Sequence, residues 1–166
     1  MESISLDATD LRLLDALQRD ASPSNQQLAA DLGISPPTCL RRVQRLCTAG
    51  LIDREIALLS TDRLSAVLGH GLQAIAEVSL DRQDAASLDA FESRAVAEGA
   101  VQQCWRVSPG PDFVLVVAVR DMPGYQALTQ RLFTADANVR NVKTFFSVKR
   151  AKFEPALPLP LPSQPA

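Results

Sequence analysis

Arg41, Arg42 and Arg45 crowd into the stretch SPPTCLRRVQRL, Ser35 to Leu46, and no aspartate or glutamate occurs between Ser35 and Leu51. Guanidinium groups are planar, permanently charged donors that match phosphate oxygens and the O6/N7 edge of guanine. The chemistry they point to is recognition of an anion rather than the making or breaking of bonds. The chain holds 1 histidine, His70, and shows no nucleophile–histidine–acid set, no metal-ligand spacing and no phosphate-binding glycine loop. No enzymatic activity, metal or cofactor is expected. Cys39, Cys47 and Cys104 form no close-spaced pair and read as reduced thiols packed as small apolar residues. With 17 Lys and Arg against 19 Asp and Glu the net charge is −2, so a nucleic-acid contact must come from local clustering and not from bulk charge.

An arginine cluster acts only if an element presents it. The two prolines before this one suit a helix start: with Ser35 as N-cap, Pro36 and Pro37 fall in the first turn, where amides have no intrahelical acceptor. On a helical wheel Cys39, Leu40, Val43, Leu46 and Cys47 then fill an arc of about 120°, and Thr38, Arg41, Arg42 and Arg45 an arc of about 100° roughly opposite. Two helices precede it. One opens at Asp7, with Asp10 in its first turn, Leu6 and Leu11 as a staple, and Leu11, Leu14 and Leu17 along one face. The next opens at Ser24, with Gln27 completing a capping box, and ends at Gly33. A short helix, a tight turn at GIS and a helix with one apolar and one cationic face make a helix-turn-helix pattern. An arginine face solvated on an ordinary helical hairpin is the alternative; the helix lengths, the turn and the paired caps favour double-stranded DNA as partner. LIDREIALLS, after Gly50, reads as a helix end followed by the strands of a wing, with Arg54 at the tip as a phosphate contact.

TDRLSAVLGHG, Thr61 to Gly71, reads as a connector, with His70 as a linker residue. Beyond it the hydrophobic period changes. LQAIAEVSL alternates as a half-buried strand; AASLDAFESRAVAEG is helical, with Leu88, Phe91 and Ala95 on one face and Gly99 ending it. VQQCWRVS and FVLVVAV are strands joined by the hairpin turn PGPD; MPGYQALTQRLF is a second helix with Tyr125, Leu128 and Leu132 in register; VRNVKTFFSV is the last strand. The expected fold class is α+β: a winged helix-turn-helix domain over 1–60, a linker over 61–71, and a ferredoxin-like βαββαβ domain over 72–153. FVLVVAV is apolar on both sides, so the sheet face opposite the helices needs a cover, and a second copy of the chain is the simplest one. Trp105 and Phe145 read as core or interface residues. The tail over 154–166, holding 5 of the 11 prolines, reads as a flexible end, with a PxxP ligand as the alternative. The acidic, polar start is unlike a signal peptide and the longest apolar run is too short for a bilayer, so an intracellular, cytoplasmic protein with no membrane contact is expected.

LDATDLRLLDALQRDA, QLAADLGISPPTCLRRVQRLCTAGLI, SPGPDFVLVVAVRDMPGY and VRNVKTFFSVKRAK, in this order and spacing, resemble the Lrp/AsnC family of feast/famine transcription regulators. The resemblance runs from Leu6 to Phe153. It implies a homodimer, often assembled into an octamer, that binds promoter DNA and responds to a small amino acid held by the C-terminal domain. It places the recognition helix at Ser35 to Ala49, with Ser35, Pro36, Pro37 and Thr38 presenting its N-terminus to DNA and Arg41, Arg42 and Arg45 reaching bases or phosphates. The family's effector site lies at the turn between the second and third strands, where its pattern is Gly-x-x-Asp. Here Asp112 matches the acid, Pro109 stands at the glycine position and Gly110 follows one place late. The resemblance makes Ser108, Gly110, Asp112 and Met122 the candidate effector contacts; a turn-capping carboxylate is the other reading of Asp112. The altered turn also leaves open a ligand-independent, architectural DNA-binding protein.

Overall fold

The computed structural model describes residues 4–69 and 71–161; His70 lies outside them, as does the tail beyond Leu161. The chain divides into two compact units, Met1–Leu58 together with Lys152–Ala166, and Leu59–Ala151.

In the first unit three helices follow one another, α1 (Ala8–Arg19), α2 (Asn25–Leu32) and α3 (Pro36–Thr48). Asp7 caps α1 and forms a reciprocal capping box with Asp10. Ser24 caps α2 by accepting the Gln27 amide, while the Gln27 side chain turns instead to Asp31. Gly33 ends α2 at φ 68°, a left-handed conformation open to glycine at little cost. The core is Leu13, Leu28, Ala29, Leu32, Cys39 and Leu46, with Leu6, Leu14, Leu17 and Val43 against it. Leu13, absent from the predicted Leu11–Leu14–Leu17 row, is fully buried, and Leu11 lies outside the core. The face of α1 is rotated because Asp10, not an apolar residue, occupies the position one turn before Leu13.

Residues 53–60 form no strand, so the wing expected there is not built as a hairpin among the described residues. Ile56, Leu58 and Leu59 stand exposed in that segment, which has no neighbouring strand to pair with. The C-terminal segment returns to this unit. The Gln18 side-chain amide donates to the Leu157 carbonyl at 2.9 Å and accepts the Leu157 amide at 2.8 Å. The tail is therefore held at this point, where the sequence suggested a free end.

The second unit opens with α4 (Thr61–Leu68), a helix capped by the Ser60 side chain, in the stretch the sequence marks as a connector. The βαββαβ order then appears as predicted: β1 (Leu72–Leu80), α5 (Ala85–Ala97), β2 (Val101–Arg106), β3 (Phe113–Val119), α6 (Met122–Thr129) continuing into a π-helical turn (Gln130–Thr134), and β4 (Val139–Phe146). The sheet is antiparallel in the order β2-β3-β1-β4. One face, with Ala74, Ala76, Val78, Phe113, Leu115 and Val117, packs on Phe91, Ala95, Leu128, Leu132 and Phe133. α5 ends at Glu98 in extended conformation, so Gly99 is not its left-handed cap. The opposite sheet face carries Trp105, Val114, Val116, Ile75 and Phe145, paired across strands by the ladder register. Trp105 is 57% exposed and Phe145 45%, so neither belongs to the core of this chain.

Candidate nucleic-acid interface and effector turn

α3 begins as the prolines allow. Ser35 takes an extended conformation and Pro36 and Pro37 occupy the first two helical positions. The Cys39 amide makes the first helical bond, to the Ser35 carbonyl at 2.9 Å. The Ser35 hydroxyl caps no amide; it pairs with the Thr38 hydroxyl at 2.8 Å. The Asn25 side chain donates to the Pro36 carbonyl at 2.9 Å and ties the start of α2 to the first turn of α3. Ser35, Pro36 and Pro37 are exposed and Thr38 is half-buried.

The buried stripe of α3 is narrower than the wheel suggested. Cys39 and Leu46 are fully buried, whereas Leu40 is 48% exposed and Cys47 is exposed. The flank toward α1 is closed by charge. Asp10 is 1% exposed; its carboxylate accepts from Arg42 Nη1 at 2.8 Å and from Arg45 Nη2 at 2.5 Å. The same Arg42 nitrogen donates to Asp7 at 2.8 Å. Burial alone would raise the Asp10 pKa. The hydrogen bond with the Asp7 backbone and those from the two guanidiniums outweigh that desolvation and hold the group at about 2, below its ordinary 3.8. Arg42 is shifted upward by the same contacts, Asp10 first and Asp7 second.

This geometry corrects the arginine face. Arg42 is held between two carboxylates, with its Nε buried and unpartnered, and does not point free toward a ligand. Arg45 spends one nitrogen on Asp10 and keeps 43% of its side chain exposed. Arg41 is exposed and makes no hydrogen bond or ion pair among the described residues, and the same holds for Gln44, which the sequence reading passed over. Arg54 is exposed beside Asp53, at 3.8 Å. The Asp10 cluster was invisible in the sequence because its partners lie more than thirty residues away; the one local sign was an acid on the line of Leu13 and Leu17.

In the second unit the turn between β2 and β3 is closed by the Val107 amide on the Asp112 carbonyl at 3.0 Å. Gly110 sits at φ 124°, which neither flanking proline can adopt. The Asp112 amide donates to Val78 at 2.9 Å, and its carboxylate accepts the Leu80 amide at 2.7 Å. Asp112 thus fastens the turn to β1, the structural role weighed against ligand binding. Ser108 and Asp112 share an open cleft of about 380 Å³ with Gln83, Leu88, Arg106 and Val107. Arg106 in that cleft is already paired with Asp89 and Glu92. Met122 is not beside the turn: it opens α6 after the far end of β3, a strand of 7 residues that begins where the turn ends. At about 3.3 Å per residue that strand keeps the two apart within one chain. No group of His, Cys, Asp and Glu suited to a metal is found among the described residues.

A three-helix unit with an exposed, acid-free helix start, joined to a ferredoxin-like sheet unit, defines a helix-turn-helix protein with a second, separate domain. The winged helix-turn-helix DNA-binding family matches residues 6–53, and the Lrp/AsnC ligand binding domain matches residues 73–157. The chain belongs to the Lrp/AsnC family of transcription regulators. It is 36% identical over 149 residues to a leucine-responsive regulatory protein of Rhizobium meliloti, covering 90% of this chain and 93% of that one. An AsnC family transcriptional regulator from Agrobacterium tumefaciens superposes with a TM-score of 0.81 at 26% identity, over 92% of this chain and 97% of the other. A transcriptional regulator from Neisseria meningitidis, solved as a complex with L-Met, gives 0.79 at 27% identity, over 93% and 97%. Among the described residues no helix is long and apolar enough to cross a membrane.

Proposed function

We propose that this chain is a sequence-specific regulator that reads double-stranded DNA through the N-terminal half of α3 and responds to a small amino acid. The observation that carries the DNA reading is Arg41, exposed and unpaired beside the open helix start. Ser35, Pro36, Pro37 and Thr38 bring the backbone close to phosphates, and Thr38 with the arginines offsets the two amides the prolines remove. Arg45 and Arg54 add phosphate contacts; Arg42 positions the helix from behind. The L-Met complex of the Neisseria relative supports an amino-acid effector; the site assigned to it is the β2–β3 turn, with Ser108, Gly110 and Asp112 contributing. Met122 joins such a site only from a second copy. The exposed outer sheet face supports a homodimer, on which an octamer can be built, and the working compartment is the cytoplasm.

The test is selection of duplexes from a randomised pool at fixed salt, because phosphate contacts depend steeply on it. A recovered consensus that Arg41→Ala no longer discriminates at one G·C pair, with a loss of about 1–3 kcal/mol there, supports the reading. Equal recovery of all sequences sinks it.

A second reading, an architectural DNA-binding protein without an effector, is favoured by one observation. Asp112 is engaged by the Leu80 amide, and Pro109 and Pro111 remove donors from the turn. Calorimetry against the twenty amino acids separates the two; heat with none of them moves the assignment to the architectural form.

A further inference from the structure

Pro37, Leu40, Arg41 and Gln44 are all exposed on α3. Their spacings, 37–40 and 41–44 by three and 37–41 and 40–44 by four, make each a surface neighbour of two others. On the helical wheel this group lies away from the Cys39–Leu46 stripe, while Thr38, Arg42 and Arg45 lie to the α1 side of it, where Asp10 collects both arginines. Leu40 is the anomaly. It is a leucine with 48% of its surface in water on a helix whose apolar contacts are complete without it. One turn on stands Gln44, and beyond it on the same surface Arg41, a carboxamide and a guanidinium with free hydrogen-bonding capacity. An apolar contact at the margin of polar readers, on a helix that itself carries no acid, has the complementarity of a major-groove base edge. There guanine offers O6 and N7, adenine offers N6 and N7, and thymine offers its 5-methyl group.

We propose that Leu40 is a specificity residue that packs on the 5-methyl group of a thymine, next to bases read by Arg41 and Gln44, and that Arg42 serves mainly to fix the rotation of α3, with Arg45 divided between Asp10 and its phosphate contact. This rests on the DNA-reading role proposed above. The occupant of the Leu40 surface is thus the thymine edge of the bound duplex, with Pro37 as the second wall of the contact.

The experiment takes the consensus duplex selected by the full-length protein and replaces each thymine in turn by uracil, which deletes the methyl group alone. The wild-type chain is expected to lose affinity roughly fourfold at one position, the scale of one buried methyl. Leu40→Ala is expected to bind thymine and uracil duplexes equally at that position. It should also bind the uracil duplex much as the wild type does. A wild-type chain indifferent to uracil at every position overturns the proposal and leaves DNA reading intact. A Leu40→Ala chain that keeps the thymine preference also overturns it. So does a change in oligomeric state by sedimentation with an unaltered thymine preference, which would assign Leu40 to a contact between copies. Absence of any consensus would remove the underlying DNA reading as well, so the two failures are distinct.

Discussion

The two units bury their surfaces with different chemistry. In the sheet unit Phe91, Phe113, Leu115, Val117 and Leu128 close a core without a charged side chain. In the helical unit the seam between α1 and α3 is shared by Leu13, Cys39, Leu46 and the ionised Asp10 with its two arginines. Apolar burial is non-directional and stabilises in proportion to area. An ion cluster costs desolvation and returns less net stability, but its geometry is directional. The sheet core mainly holds its layers together; the charged seam also sets which side of α3 faces outward.

Substitutions should separate these two mechanisms. Phe91→Ala removes a fully buried ring of the sheet core, tilted at 42° to Phe113 with centroids 4.8 Å apart. It should cost about 3–5 kcal/mol, with calorimetry showing the loss in the sheet unit's transition only. Asp10→Ala should cost less, about 2 kcal/mol, because Arg42 and Arg45 retain access to water. It should weaken DNA binding beyond that by letting α3 rotate. Acid sharpens the same contrast. The folded-state pKa of Asp10 lies below its ordinary value, so the contribution is present above about pH 3.8 and is lost as pH falls toward about 2. Roughly 2 kcal/mol should disappear over that window in the helical unit, and Asp10→Ala should flatten the dependence. The smallest effect is expected at Gly110→Ala, about 1 kcal/mol from a side chain forced to φ 124° with no clash in its surroundings. Urea midpoints of the sheet unit would measure it.

The parts of the fold that follow a local rule were legible in the sequence. The Ser24, Asp7 and Ser35 starts, the Gly33 stop, and the alternation of β1 each depend on a few adjacent residues. The βαββαβ order followed because the hydrophobic period changes where the chain changes element. What escaped depends on distant partners. An apolar extended segment around Ile56 reads as a strand whether or not a partner strand exists. Leu40 and Cys47 fit a generous apolar arc, and only the packing of α1 and α2 decides how much of it is covered. Arg42 looks free until Asp10, on another helix, is placed beside it. At the effector turn, the pattern around Asp112 was visible, but its bond to Leu80 and the distance to Met122 were set by the sheet register.

The clasp between Gln18 and Leu157 has a topological consequence. The helical unit takes chain from both ends of the protein, so the sheet unit is an insertion within it, entered between Leu58 and Leu59 and left between Ala151 and Lys152. The two bodies are therefore joined by a loop with two crossings and not by one leash. A protease nick in either crossing cuts the linear chain into two pieces, which separate under denaturing conditions but should stay together on a native gel through the tail's hydrogen bonds to Gln18.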